Sequence, residues 1–138
     1  MPTIQYQAFF QGEAGTGWIE DGKSVSRSGS GRLLQALQVR LIDTFTTFVV
    51  AYDVRFADAD WQGTVTGDTL RGDTGSPFRF IDGFCVDLVN RPFPFIDTSI
   101  FYRVKWANDP QNWSEYKWDG ASLGRRGVGI VALEIGTG

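Results

Sequence analysis

Three stretches decide the fold: Ile4-Gln5-Tyr6-Gln7-Ala8-Phe9-Phe10, Val50-Ala51-Tyr52-Asp53-Val54-Arg55-Phe56 and Ile100-Phe101-Tyr102-Arg103-Val104-Lys105-Trp106. In each, the first, third, fifth and seventh positions are apolar, and the third is always tyrosine. Alternation at period two marks a half-buried strand. Ile4, Tyr6, Ala8 and Phe10 therefore share one face, and Gln5, Gln7, Phe9 and Gln11 the other. A second phrase follows each first one: Ala36-Leu37-Gln38-Val39-Arg40-Leu41, Gly83-Phe84-Cys85-Val86-Asp87-Leu88 and Ala132-Leu133-Glu134-Ile135. The intervals are 31 positions from Tyr6 to Leu37, 32 from Tyr52 to Phe84 and 31 from Tyr102 to Leu133.

The tyrosines are spaced by 46 and 50 positions, a period that marks repeated supersecondary units. Three repeats, approximately 1–47, 48–97 and 98–138, fill one domain of 138 residues. Leu33-Leu34-Gln35-Ala36-Leu37 alone reads as helix. Its counterparts Phe78-Arg79-Phe80-Ile81 and Gly129-Ile130-Val131 are aromatic or β-branched, which selects strand. Between the phrases, a tryptophan, a glycine, a hydroxyl residue and an aliphatic one recur: Trp18 with Gly22-Lys23-Ser24-Val25, Trp61 with Gly67-Asp68-Thr69-Leu70, and Trp113 with Gly120-Ala121-Ser122-Leu123. Each repeat thus reads as about four strands. No single unit covers its own apolar face, so the three must pack around a shared centre. The expected fold is all-β, a pseudo-threefold β-prism of three antiparallel sheets, with a β-trefoil as the alternative.

Composition narrows the function. The chain has no histidine, the commonest general base and transition-metal ligand. A net charge of −3 argues against phosphate-driven nucleic-acid binding. No apolar run approaches the roughly 20 residues of a membrane span. The start of the chain, running directly into the first repeat, lacks the features of a secretory signal; the expected location is cytoplasmic, or released without a classical signal peptide. Cys85, the sole cysteine, is read as a small buried residue.

The order of motifs resembles the clostridial hydrophobic W (ChW) repeat. Tyr6-Gln7-Ala8-Phe9-Phe10-Gln11 resembles its opening, and Asp60-Trp61 with Gly67, and Asn112-Trp113 with Trp118 and Gly120, resemble its tryptophan segment. Gly72-Asp73-Thr74-Gly75 and Gln35-Ala36-Leu37-Gln38-Val39-Arg40-Leu41 resemble the remainder. Phe9, Arg55 and Lys105 stand where the family has histidine, and Gln35, Asp82 and Val131 where it has glutamate. The resemblance implies surface attachment and binding of carbohydrate or protein, and no catalysis.

Candidate ligand-binding residues follow from the repeats. Trp106 takes the place of Phe10 and Phe56 and is read as core. Trp61 and Trp113 recur at one point of the repeat and read either as core wedges or as ligand platforms. Trp18 and Trp118 adjoin the turn acids Asp21 and Asp119, and Asp68 sits in the corresponding turn of the second repeat. Arg27, Arg71 and Arg125 follow those turns closely. Aromatic faces stack on the C–H side of a sugar, while acids and guanidinium forks fix its hydroxyls. Asp58-Ala59-Asp60 and the pair Asp68 and Asp73 do not recur as matched carboxylates, so neither glycoside hydrolysis nor a calcium loop is expected. The expectation is a non-enzymatic lectin with up to three shallow sites, no cofactor and no metal. Its partners would be glycans or glycoconjugates, and a homo-oligomer is allowed. The rival is a protein-interaction or adhesion module using Trp18, Phe93, Phe95 and Trp118.

Overall fold

Each tyrosine-centred phrase becomes a long strand, and each second phrase its antiparallel partner. The computed structural model describes residues 3–27, 29–42, 49–75, 79–90 and 98–138, which form twelve strands. The first repeat contributes β1 (Thr3–Phe10), β2 (Ile19–Glu20), β3 (Ser24–Ser26) and β4 (Leu34–Ile42). The second contributes β5 (Val49–Phe56), β6 (Val65–Thr66), β7 (Arg71–Gly72) and β8 (Ile81–Val89), and the third β9 (Ile100–Trp106), β10 (Lys117–Trp118), β11 (Leu123–Gly124) and β12 (Ile130–Thr137). They form three four-stranded sheets, β2-β1-β4-β7, β6-β5-β8-β11 and β10-β9-β12-β3. Every pairing is antiparallel. This is a prism-like arrangement, with no helix among the described residues.

The repeats do not each build a sheet alone. β7 of the second repeat completes the first sheet, β11 of the third completes the second, and β3 of the first completes the third. The exchange is cyclic, so chain connectivity itself closes the threefold. A bulge prepares each junction. Register shifts between Phe9 and Phe10, between Arg55 and Phe56, and between Ile130 and Ala132, skipping Gln35, Asp82 and Val131. A bulged residue is released from the ladder. The freed carbonyls of these three accept the amides of Asp73, Arg125 and Arg27, each immediately beyond an exchanged strand.

The tyrosines tie the same junctions from inside. Tyr6 donates its hydroxyl to the carbonyl of Lys23, Tyr52 to that of Thr69 and Tyr102 to that of Ala121, each just before β3, β7 or β11. A buried phenol requires such an acceptor. Burial, first, and nearby acids raise all three phenol pKa values, so these groups stay protonated as donors. The inward set is otherwise as the alternation predicts: Ile4, Tyr6, Phe10, Leu37 and Val39 and their equivalents are buried, with Leu41 half-buried at the rim. Trp106 lies in the core. Cys85 does not, because alternation turns it outward between inward-facing Phe84 and Val86; it is half-buried opposite Asp53. Burial, then the Asp53 charge, raises its thiol pKa.

Candidate functional site

The three sheets present different outer faces. On the first, Gln7 donates to Gln38 at 3.1 Å, and Arg40 donates to Gln5 at 2.7 Å while lying 3.8 Å over the ring of Trp18. On the second, Arg55 donates to the fully buried Asp82 at 2.6 Å and lies 5.6 Å from the ring of Trp61. Asp82 also accepts the Gly127 amide at 2.8 Å and faces Arg126 at 3.5 Å. These two faces are largely self-satisfied.

The third face is aromatic. Phe101, outward on β9, has its ring centroid 5.4 Å from those of both Tyr116 and Trp118. Arg103 lies 4.6 Å over Tyr116 and 4.5 Å over Trp113, while Lys105 covers Trp113 at 5.0 Å. Glu134 binds Arg103 at 3.0 Å and accepts the Tyr116 hydroxyl at 3.0 Å. Desolvation and then that hydrogen bond raise the Tyr116 phenol pKa. The Trp118 and Tyr116 residues remain 49% and 40% exposed. Together these residues form a continuous ladder of rings whose outer end is open to solvent. Phe101, Arg103, Tyr116 and Glu134 were not singled out in the sequence. The available signal was Phe101: its equivalents on the other sheets are Gln5 and Ala51.

The predicted residues separate. Trp61 and Trp113 hold equivalent places, shown by the amides of Gln62 and Ser114 bonding Val54 and Val104. In the first repeat that place is Gly15, where an added Cβ would lie 2.7 Å from the ring of Phe9. Phe9 itself occupies the tryptophan's space. Trp18 corresponds to Tyr116, not to Trp118, because Ile19 and Lys117 pair with Tyr6 and Tyr102. Asp21 is used within the frame: its carboxylate accepts the amide of Ile4 at 3.0 Å, the amide of Thr137 at 2.8 Å and the Thr137 hydroxyl. It thereby links the first strand to the last. Asp119 likewise accepts the Ile100 amide at 2.9 Å. Asp68 stands one place later in its turn, at φ 70°, where Gly22 and Gly120 have φ 76° and 85°.

The arginines are not one set. Arg27 and Arg125 follow their exchanged strands, each covering an aromatic ring that ends a long strand: Phe10 at 5.5 Å and Trp106 at 5.3 Å. Arg71 falls two places earlier, opposite Leu37 within β7, because Asp73 occupies the arginine position. Arg79 covers Phe56 instead, at 4.2 Å.

Beside the ladder, at the seam where the chain passes from β10 to β11, lies an open groove of about 430 Å³. Trp106 and Leu123 face it together with Ser114, Glu115, Lys117, Ser122 and Arg125. Among the described residues, no group of three or more His, Cys, Asp and Glu side chains is placed to hold a metal ion. Phe93 and Phe95 lie outside the described residues. No protein-family model, curated protein or solved structure matches the chain.

Proposed function

We propose that the protein is a carbohydrate-binding lectin without catalytic activity, with its principal site on the aromatic face built by Phe101, Tyr116 and Trp118. The observation that carries this reading is the half-exposed Trp118 and Tyr116, held against Phe101 beside the Arg103–Glu134 pair. Exposed rings next to fixed donors and acceptors suit the mixed surface of a saccharide. Ring-on-ring packing fixes the platform before a ligand arrives, which reduces the ordering cost of binding. The outer faces carrying Trp18 and Trp61 are the weaker sites in this reading, because those two rings are half-buried while Trp118 stands open to solvent. The resemblance to ChW repeats points to the same class of surface-binding module.

The test is titration across neutral and acidic oligosaccharides, followed by tryptophan fluorescence. Binding is expected in the millimolar range or tighter, weakened at least about tenfold by Trp118→Ala, equivalent to losing roughly 1.4 kcal/mol. No binding anywhere in a broad glycan panel at millimolar concentration overturns the reading. The same exposed rings support a second one, adhesion to a protein surface. Capture of a protein partner by the wild type, lost in Trp118→Ala without any glycan response, selects it.

A further inference from the structure

The β10–β11 groove is an open seam for which pseudo-symmetry supplies a template for a missing occupant. In the second repeat the equivalent space is crossed by Arg71, which donates to the carbonyls of Gln62 and Gly63. Those residues are equivalent to Ser114 and Glu115 on the groove wall. The third repeat has Leu123 in place of Arg71, as the first has Val25, and neither is long enough to make that crossing.

In the first repeat the arginine equivalent to Arg125 is neutralised: Arg27 binds Glu13 at 3.0 Å, and Arg32 binds the same carboxylate at 3.3 Å. The residue equivalent to Glu13 is Asp109, which accepts from Asn112 at 3.0 Å. Among the described residues Arg125 therefore meets the neutral Asn108, also at 3.0 Å, and the ring of Trp106. A second cation points the same way. Lys117 occupies the position of Ile19 and Val65, half-buried apolar residues packed on the core. Among the described residues, neither Lys117 nor Arg125 has a carboxylate partner.

We infer that this groove is a second binding site, separate from the aromatic ladder, for a sugar acid: a pyranose carrying one carboxylate. The carboxylate takes the role Glu13 plays toward Arg27 and bridges Arg125 and Lys117. Hydroxyls take the role of the Arg71 donors along the Ser114–Glu115 wall, with Ser122 opposite and the Glu115 side chain as a further acceptor. The C–H face rests on Leu123 and Trp106, each 5% exposed. The groove carries two positive charges against one negative, which favours a single carboxylate over a polyanion. Only the saccharide class of the ligand rests on the reading above; the charge selection does not.

The experiment is an amide-resolved NMR titration of the full chain with glucuronate, and in parallel with methyl glucoside and acetate. Glucuronate is expected to shift resonances from Ser114 to Arg125. Lys117→Ile, which restores the residue of the first repeat, and Leu123→Arg, which refills the groove as in the second, are each expected to weaken glucuronate binding at least about tenfold. Trp118→Ala weakens neutral-sugar binding at the ladder and leaves the groove response unchanged. The inference is overturned if glucuronate leaves groove resonances unmoved at high millimolar concentration. It is equally overturned if acetate matches glucuronate, or if folded Lys117→Ile binds glucuronate as the wild type does. Loss of methyl glucoside binding alone, with the groove response intact, refutes the ladder reading only.

Discussion

Replacing each recurrent tyrosine by phenylalanine tests the strand-exchange frame directly. Tyr6→Phe, Tyr52→Phe and Tyr102→Phe keep the buried ring and remove only the hydroxyl that binds the carbonyl of Lys23, Thr69 or Ala121. The tyrosine residues are at most 1% exposed, so the ring contributes the same packing before and after. What changes is a carbonyl left without its donor at the entrance to an exchanged strand, a loss of about 1–3 kcal/mol per site. Tyr6 also reaches the Leu133 carbonyl at 3.1 Å, so its variant is expected at the upper end. Against a total stability of roughly 5–15 kcal/mol, the triple variant loses about 3–9 kcal/mol, a large share of the whole. Urea titration of the three single variants reads the loss as a lower midpoint at unchanged slope. The transition should stay single, because each exchanged strand ties one repeat to the sheet of another. Losses below about 0.5 kcal/mol at all three sites, or a separate early transition in one variant, would refute the argument.

Further predictions follow from the same frame. Burial and neighbouring acids raise the Tyr6, Tyr52 and Tyr102 phenol pKa values, so above about pH 10 the unfolded chain loses protons that the native state keeps. Their stabilising contribution is therefore complete below that pH and falls above it, by up to about 1.4 kcal/mol per pH unit for each phenol; urea midpoints from pH 8 upward measure it, and Tyr102→Phe should flatten the decline. Gly72→Ala forces a Cβ into the Gln35 carbonyl at φ 122°, and should cost at least about 2 kcal/mol by the same assay. Asp82→Asn breaks a buried ion pair and should cost about 3 kcal/mol, the low end for such pairs because Arg55 and Arg126 reach solvent. The double variant Asp82→Val, Arg55→Lys copies the third repeat's Val131 and Lys105, and should recover most of that loss; no recovery would show that the pair has a role the apolar version cannot fill.

Period-two alternation makes the long strands legible, because a side chain's face follows directly from its parity in a strand. Ile4 to Phe10, Val50 to Phe56 and Ile100 to Trp106 therefore carry the hairpins and the core with them. The exchange of β3, β7 and β11 is not legible. Each is two or three residues long and contributes little pattern of its own, and the sheet it joins depends on the bulges at Gln35, Asp82 and Val131. Nothing in those residue types announces a bulge. Site residues were harder for a related reason. Spacing placed Trp18 with Trp118, and Arg71 with Arg27 and Arg125, but turns of unequal length shift register by one or two positions between repeats. Hydrogen-bonded equivalence then moved Trp18 onto Tyr116 and Arg71 onto Leu123.

Repetition and recognition make opposite demands on such a chain. Positions that close the junctions spend their polar atoms in doing so: the tyrosine hydroxyls go to carbonyls, the bulge carbonyls to incoming amides, Asp21 and Asp119 to strand amides. A residue so committed has little left to offer a ligand. The informative positions are those where the frame is kept and the occupant changes. Phe101 replaces Gln5 and Ala51, and Lys117 replaces Ile19 and Val65, while Arg71 of the second repeat stands where the others have Val25 and Leu123. Each exchange leaves the backbone path intact while adding an aromatic ring, introducing a cation or filling a space, and the first two fall on the third repeat. A threefold frame thus predisposes the molecule to one specialised side rather than three equal ones. The Leu123→Arg variant tests that logic in miniature, because it should fill the groove with a residue the same fold already carries one repeat earlier.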